Sequence, residues 1–250
     1  MRVTSKFLSA AAAGAALLLF AAACTNIAVF DYDGAPGTLL TFPGKGSPDQ
    51  LRSVSVLPFT DMRGIPGSAV GDSGSFYLGL IPLMPFGFVE KQEPENSKDF
   101  VSLGRYHFDP ANHLAEAAQK SLVASGCFSR VKRAPSFEKA DTDLVWEGTF
   151  KNTSYRGYYL TYGITYFFAP VLWIVGAPNG VSCNELEMEF SLRDRATGRK
   201  IWTYSFAETD SVTHWIYARN GKDVSRYPVL MKQAMNAALY DLSRNGVPGR

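Results

Sequence analysis

The clearest pattern along the chain is an alternation of apolar and polar residues in its second half, which predicts a strand hairpin. From Glu185 to Leu192, leucine, methionine and phenylalanine alternate with glutamate, as in a strand with one buried face. Arg193 to Gly198 supplies turn residues, and Lys200 to Ala207 returns with three aromatic side chains on one face. We expect two adjacent antiparallel strands with the glutamates on the solvated side.

Helical spacing predicts two helices that cover this sheet. Asp109 followed by Pro110 is a typical helix start, and apolar residues then recur every four positions until Gly126. A second helix is predicted from about Pro228 to Arg244, where an Asn-Gly pair ends the pattern. Both helices have one apolar stripe, which is the pattern of a helix lying on a sheet.

Shorter apolar runs complete the predicted sheet. Val54 to Phe59, Phe128 to Lys132 and Asp143 to about Tyr155 have the composition and length of strands. The order of these strands and helices predicts an α/β layer structure of the α+β class. Its single sheet is expected to be mixed and largely antiparallel, with helices packed on one face.

Two apolar segments rich in glycine, proline and aromatic residues interrupt the pattern, and we interpret them as insertions at about 64–108 and 156–183. In the second, Pro170 interrupts an apolar run that is too short for a transmembrane helix. The insertions are expected to complete the core, to contact a partner or membrane, or to form a pore. The candidate contact residues are Phe76, Tyr77, Phe86, Phe88, Tyr166, Phe167, Phe168 and Trp173.

The N-terminus has the pattern of an export signal. Arg2 and Lys6 precede a run of alanine and leucine that ends in small residues before Cys24, which predicts a signal peptide over residues 1–23. Residues 24–50 are rich in glycine and proline and predict a flexible tether, followed by a single domain over 51–250.

The residues around Cys24 resemble the lipobox of bacterial lipoproteins. This resemblance implies that the Cys24 thiol receives diacylglycerol and that the residue becomes the palmitate-bearing N-terminus of the mature protein. Because Thr25 rather than aspartate follows, the resemblance places the protein at the outer membrane, facing the periplasm. An ordinary signal peptide with a chance cysteine is the alternative.

The net charge of the mature chain indicates which classes of partner are disfavoured. Removing residues 1–23 takes away two of the 25 basic side chains and none of the 23 acidic ones, so the mature chain is neutral. A neutral chain without a basic run does not favour nucleic acid or anionic lipid as a partner. We therefore expect membrane attachment to depend on lipid and apolar surface.

Candidate catalytic and metal-binding patterns are weak. The string Gly71 to Gly74 places Ser73 as in some hydrolases, but no histidine precedes it, and Ser211 stands three residues before His214 where an esterase needs aspartate. A Ser73 hydrolase is therefore a weak alternative, and we predict no enzyme, cofactor or metal site. Cys127 and Cys183 are candidates for a disulfide, the alternative being two buried thiols.

Two short motifs resemble a recurrent envelope-lipoprotein domain. They are Leu57-Pro58-Phe59 with Asp61, and Leu192-Arg193-Asp194 followed by Thr197-Gly198 and Trp202. The resemblance is to the group of the curli-secretion lipoprotein, the lipoprotein activators of penicillin-binding proteins and the N-terminal domain of the Tol-system periplasmic protein. It implies an α/β domain used for assembly and protein contact.

These observations predict a non-enzymatic, lipid-anchored accessory or scaffold protein in a bacterial envelope complex, with an envelope protein as partner. The alternative is a homo-oligomeric outer-membrane secretion channel that is built from Tyr158 to Pro178, with Phe76 to Val89 as a second piece.

Overall fold

The computed structural model describes residues 27–41, 51–63, 88–92, 105–107, 109–165, 168–219 and 224–245. The helices in these ranges are α1 (Pro110–Ser125), α2 (Ala169–Ile174) and α3 (Arg226–Asn245). The strands are β1 (Ile27–Val29), β2 (Val54–Val56), β3 (Thr60–Asp61), β4 (Phe88–Gln92), β5 (Arg105–His107), β6 (Val131–Arg133), β7 (Leu144–Asn152), β8 (Tyr155–Leu160), β9 (Gly180–Asp194) and β10 (Lys200–His214). The predicted signal peptide, Cys24, Ser73, Phe76, Tyr77, Phe86, Tyr166 and Phe167 lie outside the described residues.

Eight of these strands form one mixed, largely antiparallel sheet, as the sequence predicts. Its main path is β4-β8-β9-β7-β2-β6, with β10 paired to β9 and β3 paired to β7. The antiparallel pairs involve the long strands β7 to β10, whereas β2 pairs in parallel with β6 and β7. Strands β1 and β5 form a separate parallel pair. The α+β class is confirmed.

Strand β9 organises the sheet because its two edges have different partners. Along one edge it pairs with β10 from Gly180 to Arg193. On the other edge β8 pairs with Gly180–Asn184 and β7 pairs with Glu187–Asp194. The predicted hairpin is therefore present, and β10 is longer than predicted, since it continues to His214.

Helix α1 begins and ends where its capping residues indicate. The Asp109 side chain accepts a hydrogen bond from the Asn112 backbone N–H, and Pro110 occupies the first turn. Gly126 ends the helix with a φ of 69°, a left-handed conformation that glycine adopts without a steric penalty. Both predicted boundaries of this helix are confirmed.

The core lies between this sheet and helices α1 and α3. Trp146 on β7 packs against Phe190 and Trp202, with ring centroids 5.6 and 5.3 Å apart. The Trp202 indole N–H donates to Asp241 on α3 at 2.8 Å, which fixes that helix to the edge strand β10. These aromatic side chains are buried, so their apolar area drives helix–sheet packing.

Part of the segment that the sequence assigns to a flexible tether packs on the helices. Phe30 stacks on His113 of α1 at 5.3 Å, and the buried Tyr32 hydroxyl hydrogen-bonds Ser121. Burial raises the pKa of Tyr32 to about 12. Further along, Asn236 of α3 exchanges hydrogen bonds with the backbone of residues 38 and 40. Side-chain contacts therefore hold residues 30–40 to the domain.

The two predicted insertions contain regular structure. The second one, 156–183, includes most of β8, all of α2 and the start of β9. Strand β8 ends at Leu160 and a turn follows at residues 162–164, so the described part of Tyr158 to Pro178 does not form one continuous strand. Strands β4 and β5 lie within the first insertion, and β4 pairs with β8. Phe88 begins β4.

Cys127 and Cys183, the candidates for a disulfide, do not form one. Cys127 follows α1, near Ser129, whose N–H donates to the Arg52 carbonyl at the start of β2. Cys127 therefore lies near the Asp194 end of β9. Cys183 is 11 residues from Asp194 along the same strand, a separation of roughly 36 Å. Burial raises the pKa of the Cys127 thiol.

Candidate functional site

The candidate site lies at one end of the large sheet, where three of its strands begin or end. Strand β8 ends at Leu160, β9 begins at Gly180 and β10 ends at His214. Residues 161–179 connect β8 to β9 and contain α2. We call this part of the molecule the α2 end.

Helix α2 has one face inside the protein and one face in solvent. Ala169 and Trp173 are buried, and the Trp173 indole N–H donates to the Leu160 carbonyl at 2.9 Å. On the other side, four apolar side chains are exposed, namely Phe168 (66%), Val171 (59%), Ile174 (48%) and Val175 (75%). The helix is thus held by its buried tryptophan and presents a convex apolar surface.

Two exposed tyrosines tie this segment to the domain. The Tyr217 hydroxyl donates to the Ile174 carbonyl and the Tyr162 hydroxyl donates to the Pro178 carbonyl, both at 2.6 Å. Partial burial raises the pKa of Tyr162. We call the four exposed residues of the previous paragraph, with Tyr162 and Tyr217, the α2 surface.

Charge is distributed unequally between the two ends of the sheet. Residues 157–184 and 211–218, which meet at the α2 end, contain no aspartate, glutamate, lysine or arginine. The opposite end of the sheet, where β9 ends, carries ion pairs. They are Arg52–Asp194 at 2.6 Å, Lys132–Asp141 at 2.6 Å and Arg193–Glu147 at 3.1 Å. On the neighbouring strand β4, Glu90 and Lys91 lie opposite Tyr158 and Gly157. The part suited to an apolar environment is therefore the α2 segment beyond β8, and the opposite end of the sheet is suited to water.

A cluster of buried, hydrogen-bonded polar side chains lies in the sheet strands at the α2 end. His214 Nε2 lies 2.7 Å from the Ser182 hydroxyl, which is 2.9 Å from the Tyr155 hydroxyl on β8. His214 Nδ1 lies 2.8 Å from the Arg219 carbonyl oxygen. Gly157 leaves room for the tyrosine, because a Cβ there would lie 2.6 Å from its hydroxyl. The cluster joins β8, β9, β10 and the chain after β10.

The serine–histidine contact within this cluster has the distance that nucleophile activation needs. However, Ser182 is 1% exposed and His214 is 5% exposed, so a substrate carbonyl cannot reach the serine oxygen in this arrangement. The chemical role that the geometry supports is a hydrogen-bonded bridge between strands. No group of three metal-ligating side chains occurs in the described parts of the chain.

Among the predicted contact residues, Phe168 is exposed and Trp173 is buried. Trp173 is therefore wrong as a surface contact, because its ring packs under α2 and its N–H is bonded to β8. No sequence pattern predicts the exposure of Val171, Ile174, Val175, Tyr162 or Tyr217. The sequence shows that these residues have no charged neighbours, but it does not show the turn that exposes them.

Within the described ranges, none of the helices is long and apolar enough to cross a membrane. The three glutamates of β9 are partly exposed on the face opposite the core. Glu189 is paired with Lys151 at 3.1 Å, and this bond lowers the pKa of its carboxyl group. The glutamate face is accordingly a solvated, charge-paired side of the sheet.

No family model matches the chain, and no curated protein matches its sequence. Solved structures with some similarity include a DUF330 protein from Xanthomonas campestris, with 11% identity, a TM-score of 0.42, and coverage of 88% of this chain and 93% of that one. The PelC dodecamer from Paraburkholderia phytofirmans has 14% identity and a TM-score of 0.34, with coverage of 84% and 94%. The lipoprotein GNA1162 from Neisseria meningitidis has 12% identity and a TM-score of 0.22, with coverage of 77% and 98%. These bacterial proteins are what the chain is similar to, and at such scores they assign it neither a family nor a function.

Proposed function

We propose that the chain is a non-enzymatic bacterial lipoprotein, anchored through Cys24, that acts as an accessory or scaffold in an envelope complex. The observation that carries this proposal is the α2 surface, a set of exposed apolar side chains held rigidly at the end of a folded domain. Such surfaces on soluble domains mark contacts with other molecules rather than catalysis. The predicted export signal and the lipobox resemblance around Cys24 support the envelope location.

The buried cluster supports a non-enzymatic role. Ser182 and His214 are the residues that come nearest to a catalytic pair in the described structure, and both are enclosed by strands. Their hydrogen bonds connect the strands that carry α2, so they stabilise the contact surface instead of facing a substrate.

The proposed anchor is tested by expressing the full chain in a Gram-negative bacterium with radiolabelled palmitate. The wild-type chain and a Cys127→Ser control should incorporate label and sediment with membranes. Cys24→Ser should lose the label and appear in the soluble periplasm. Labelling that persists in Cys24→Ser, or a wild-type chain without label, would contradict the anchor.

The scaffold role is tested by crosslinking in the intact envelope. The wild-type chain should give a reproducible crosslinked protein. Its recovery should fall when Val171→Asp places a charge on the α2 surface, either because a direct contact is lost or because the domain no longer has the orientation that brings it to its partner. Val123→Asp, on the exposed side of α1, is a matched control because Val123 is 60% exposed against 59% for Val171. Equal recovery from both variants would place the partner contact elsewhere.

A second candidate, a subunit of an oligomeric secretion channel, is favoured by one observation. Strand β10 is 15 residues long and, among the described residues, pairs only with β9, so its other edge is available for lateral association. Its outward-facing side chains from residue 201 to 213 are uncharged. Electron microscopy of detergent-extracted protein separates the two candidates, because a channel requires rings.

A further inference from the structure

We infer that the α2 surface lies in the headgroup region of the membrane that holds the lipid anchor, so the domain has one fixed end toward the bilayer. This inference rests on the proposed function, because it assumes a lipid at Cys24. It adds a second membrane contact and an orientation, neither of which follows from the anchor alone.

The first argument is chemical. A surface that enters a lipid headgroup region needs apolar side chains, no buried charge and aromatic residues at its rim. The α2 surface has four exposed apolar residues and two exposed tyrosines whose hydroxyls donate to backbone carbonyls of the same segment. The 28 residues from 157 to 184 contain no charged side chain.

Arg219, the cation that directly follows the second uncharged stretch, also fits a headgroup region. Arg219 follows residues 211–218 and its guanidinium lies 5.9 Å from the centre of the Trp215 ring. An arginine beside an aromatic ring at the border of an apolar surface suits the depth of lipid phosphates. The ion pairs at the opposite end of the sheet would then face the aqueous periplasm.

The second argument is the direction from which the chain enters the domain. Strand β2 runs parallel to β7 and therefore points toward the α2 end. Helix α1 begins beside Phe59, which follows β2. The residues after α1 lie beside Arg52, which precedes β2. Helix α1 therefore runs antiparallel to β2 and points away from the α2 end. These two elements define a direction for the N-terminal segment.

That segment follows α1 in the same direction. Phe30 lies on His113 in the first turn of α1, and Tyr32 bonds Ser121 two turns later. The backbone of β1 therefore reaches Phe30 from the α2 side, and Cys24 precedes β1 by three residues, or about 10 Å of extended chain. A lipid at Cys24 would draw the α2 side of the domain toward the membrane.

The size of the surface favours a membrane over a second copy of the chain. Six side chains that are about half exposed offer on the order of 500 Å², whereas a stable protein interface buries about 800 Å² on each partner. A membrane contact does not need such an area, because the lipid anchor already holds the domain at the bilayer.

The test uses a matched pair of tryptophan reporters in the full lipidated chain. Val171→Trp and Val123→Trp replace valines of equal exposure on α2 and α1. Each protein is reconstituted into phosphatidylethanolamine and phosphatidylglycerol vesicles with or without brominated acyl chains, which quench nearby tryptophan emission. The four native tryptophans give a common background that the wild-type chain measures.

We expect brominated lipid to quench the added emission of Val171→Trp and to leave that of Val123→Trp unchanged. A floating, lipidated protein with no quenching at position 171, or equal quenching at both positions, would overturn the inference and leave the anchor intact. A protein that does not float with vesicles would overturn both proposals. A concentration-dependent blue shift of Val171→Trp without lipid would instead assign the surface to a second copy.

Discussion

Replacing Gly148 with alanine should destabilise the domain through one defined overlap. Gly148 lies in β7 opposite Phe190, and a Cβ there would stand 2.5 Å from two ring carbons of Phe59. Carbon atoms in contact are normally about 3.5 to 4.0 Å apart, so the overlap is about 1 Å or more. Phe59 is buried, with its ring edge-on to Phe190 at 6.1 Å, which restricts its movement.

The expected loss in the free energy of unfolding is about 2 to 3 kcal/mol, the upper part of the range for overpacked cores. For a domain of about 200 residues this corresponds to a melting temperature lower by roughly 5 to 10 °C. Urea unfolding followed by far-ultraviolet circular dichroism gives the free energy. Thr149→Ala on the opposite face of β7 is the control, with an expected change within about 0.5 kcal/mol.

A double-mutant cycle tests whether the overlap is the cause. Phe59→Leu removes ring atoms and creates a small cavity of its own, but it also removes the atoms that the new Cβ would meet. Gly148→Ala should therefore cost at least about 1 kcal/mol less in the Phe59→Leu background. Additive effects within about 0.5 kcal/mol would refute the steric explanation.

Two further predictions concern charge and burial. The hydrogen bond from Arg52 lowers the pKa of Asp194 to about 2, below its ordinary 3.8, so this carboxylate stabilises the fold above about pH 4 and the contribution disappears as the pH falls toward 2. Asp194→Asn should flatten the stability profile between these values in acid titrations, and an unchanged profile would contradict the assignment. Ser182→Ala should lower the free energy of unfolding by about 1 to 3 kcal/mol, because it removes a buried bridging hydroxyl. The exposed Ser205→Ala is its control, and equal effects in chemical denaturation would argue against the bridge.

The parts of the fold that the sequence predicts are those with a local signal. The hairpin was predictable because period-two alternation continues from Glu185 to Leu192 and a polar turn follows. Helix α1 was predictable because Asp109, Pro110 and Gly126 each have a preferred place at a helix end. In both cases neighbouring residues determine the backbone conformation.

The parts that were missed depend on pairing between distant residues. Strand β10 continues through Glu208–Ser211, where no alternation marks it, because backbone bonds to β9 extend the ladder. Helix α2 lies in an almost uniformly apolar stretch, in which periodicity cannot distinguish an inner from an outer face. Residues 30–40 gave no pattern because separate contacts with two helices hold them.

The buried cluster was missed for the same reason. Ser182 and His214 are 32 residues apart, and only the hairpin register brings His214 opposite Gly180 and next to the serine. Extending that register from the turn at Arg193–Gly198 also requires the irregularity between Lys200 and Trp202, which shifts the pairing by one residue. Side-chain exposure at the α2 end, in contrast, depends on a turn after Leu160 that no residue pattern marks.

The attachment of residues 30–40 to the helices has a mechanical consequence. A pulling force applied at the N-terminus would act first on the pairing of β1 with β5, then on the contacts of Phe30 and Tyr32 with α1, and then on the hydrogen bonds to α3. These contacts would break one after another, whereas the long ladder between β9 and β10 would not be loaded until the segment had detached. Residues 30–40 would thus act as an extensible link that gives way before the sheet does.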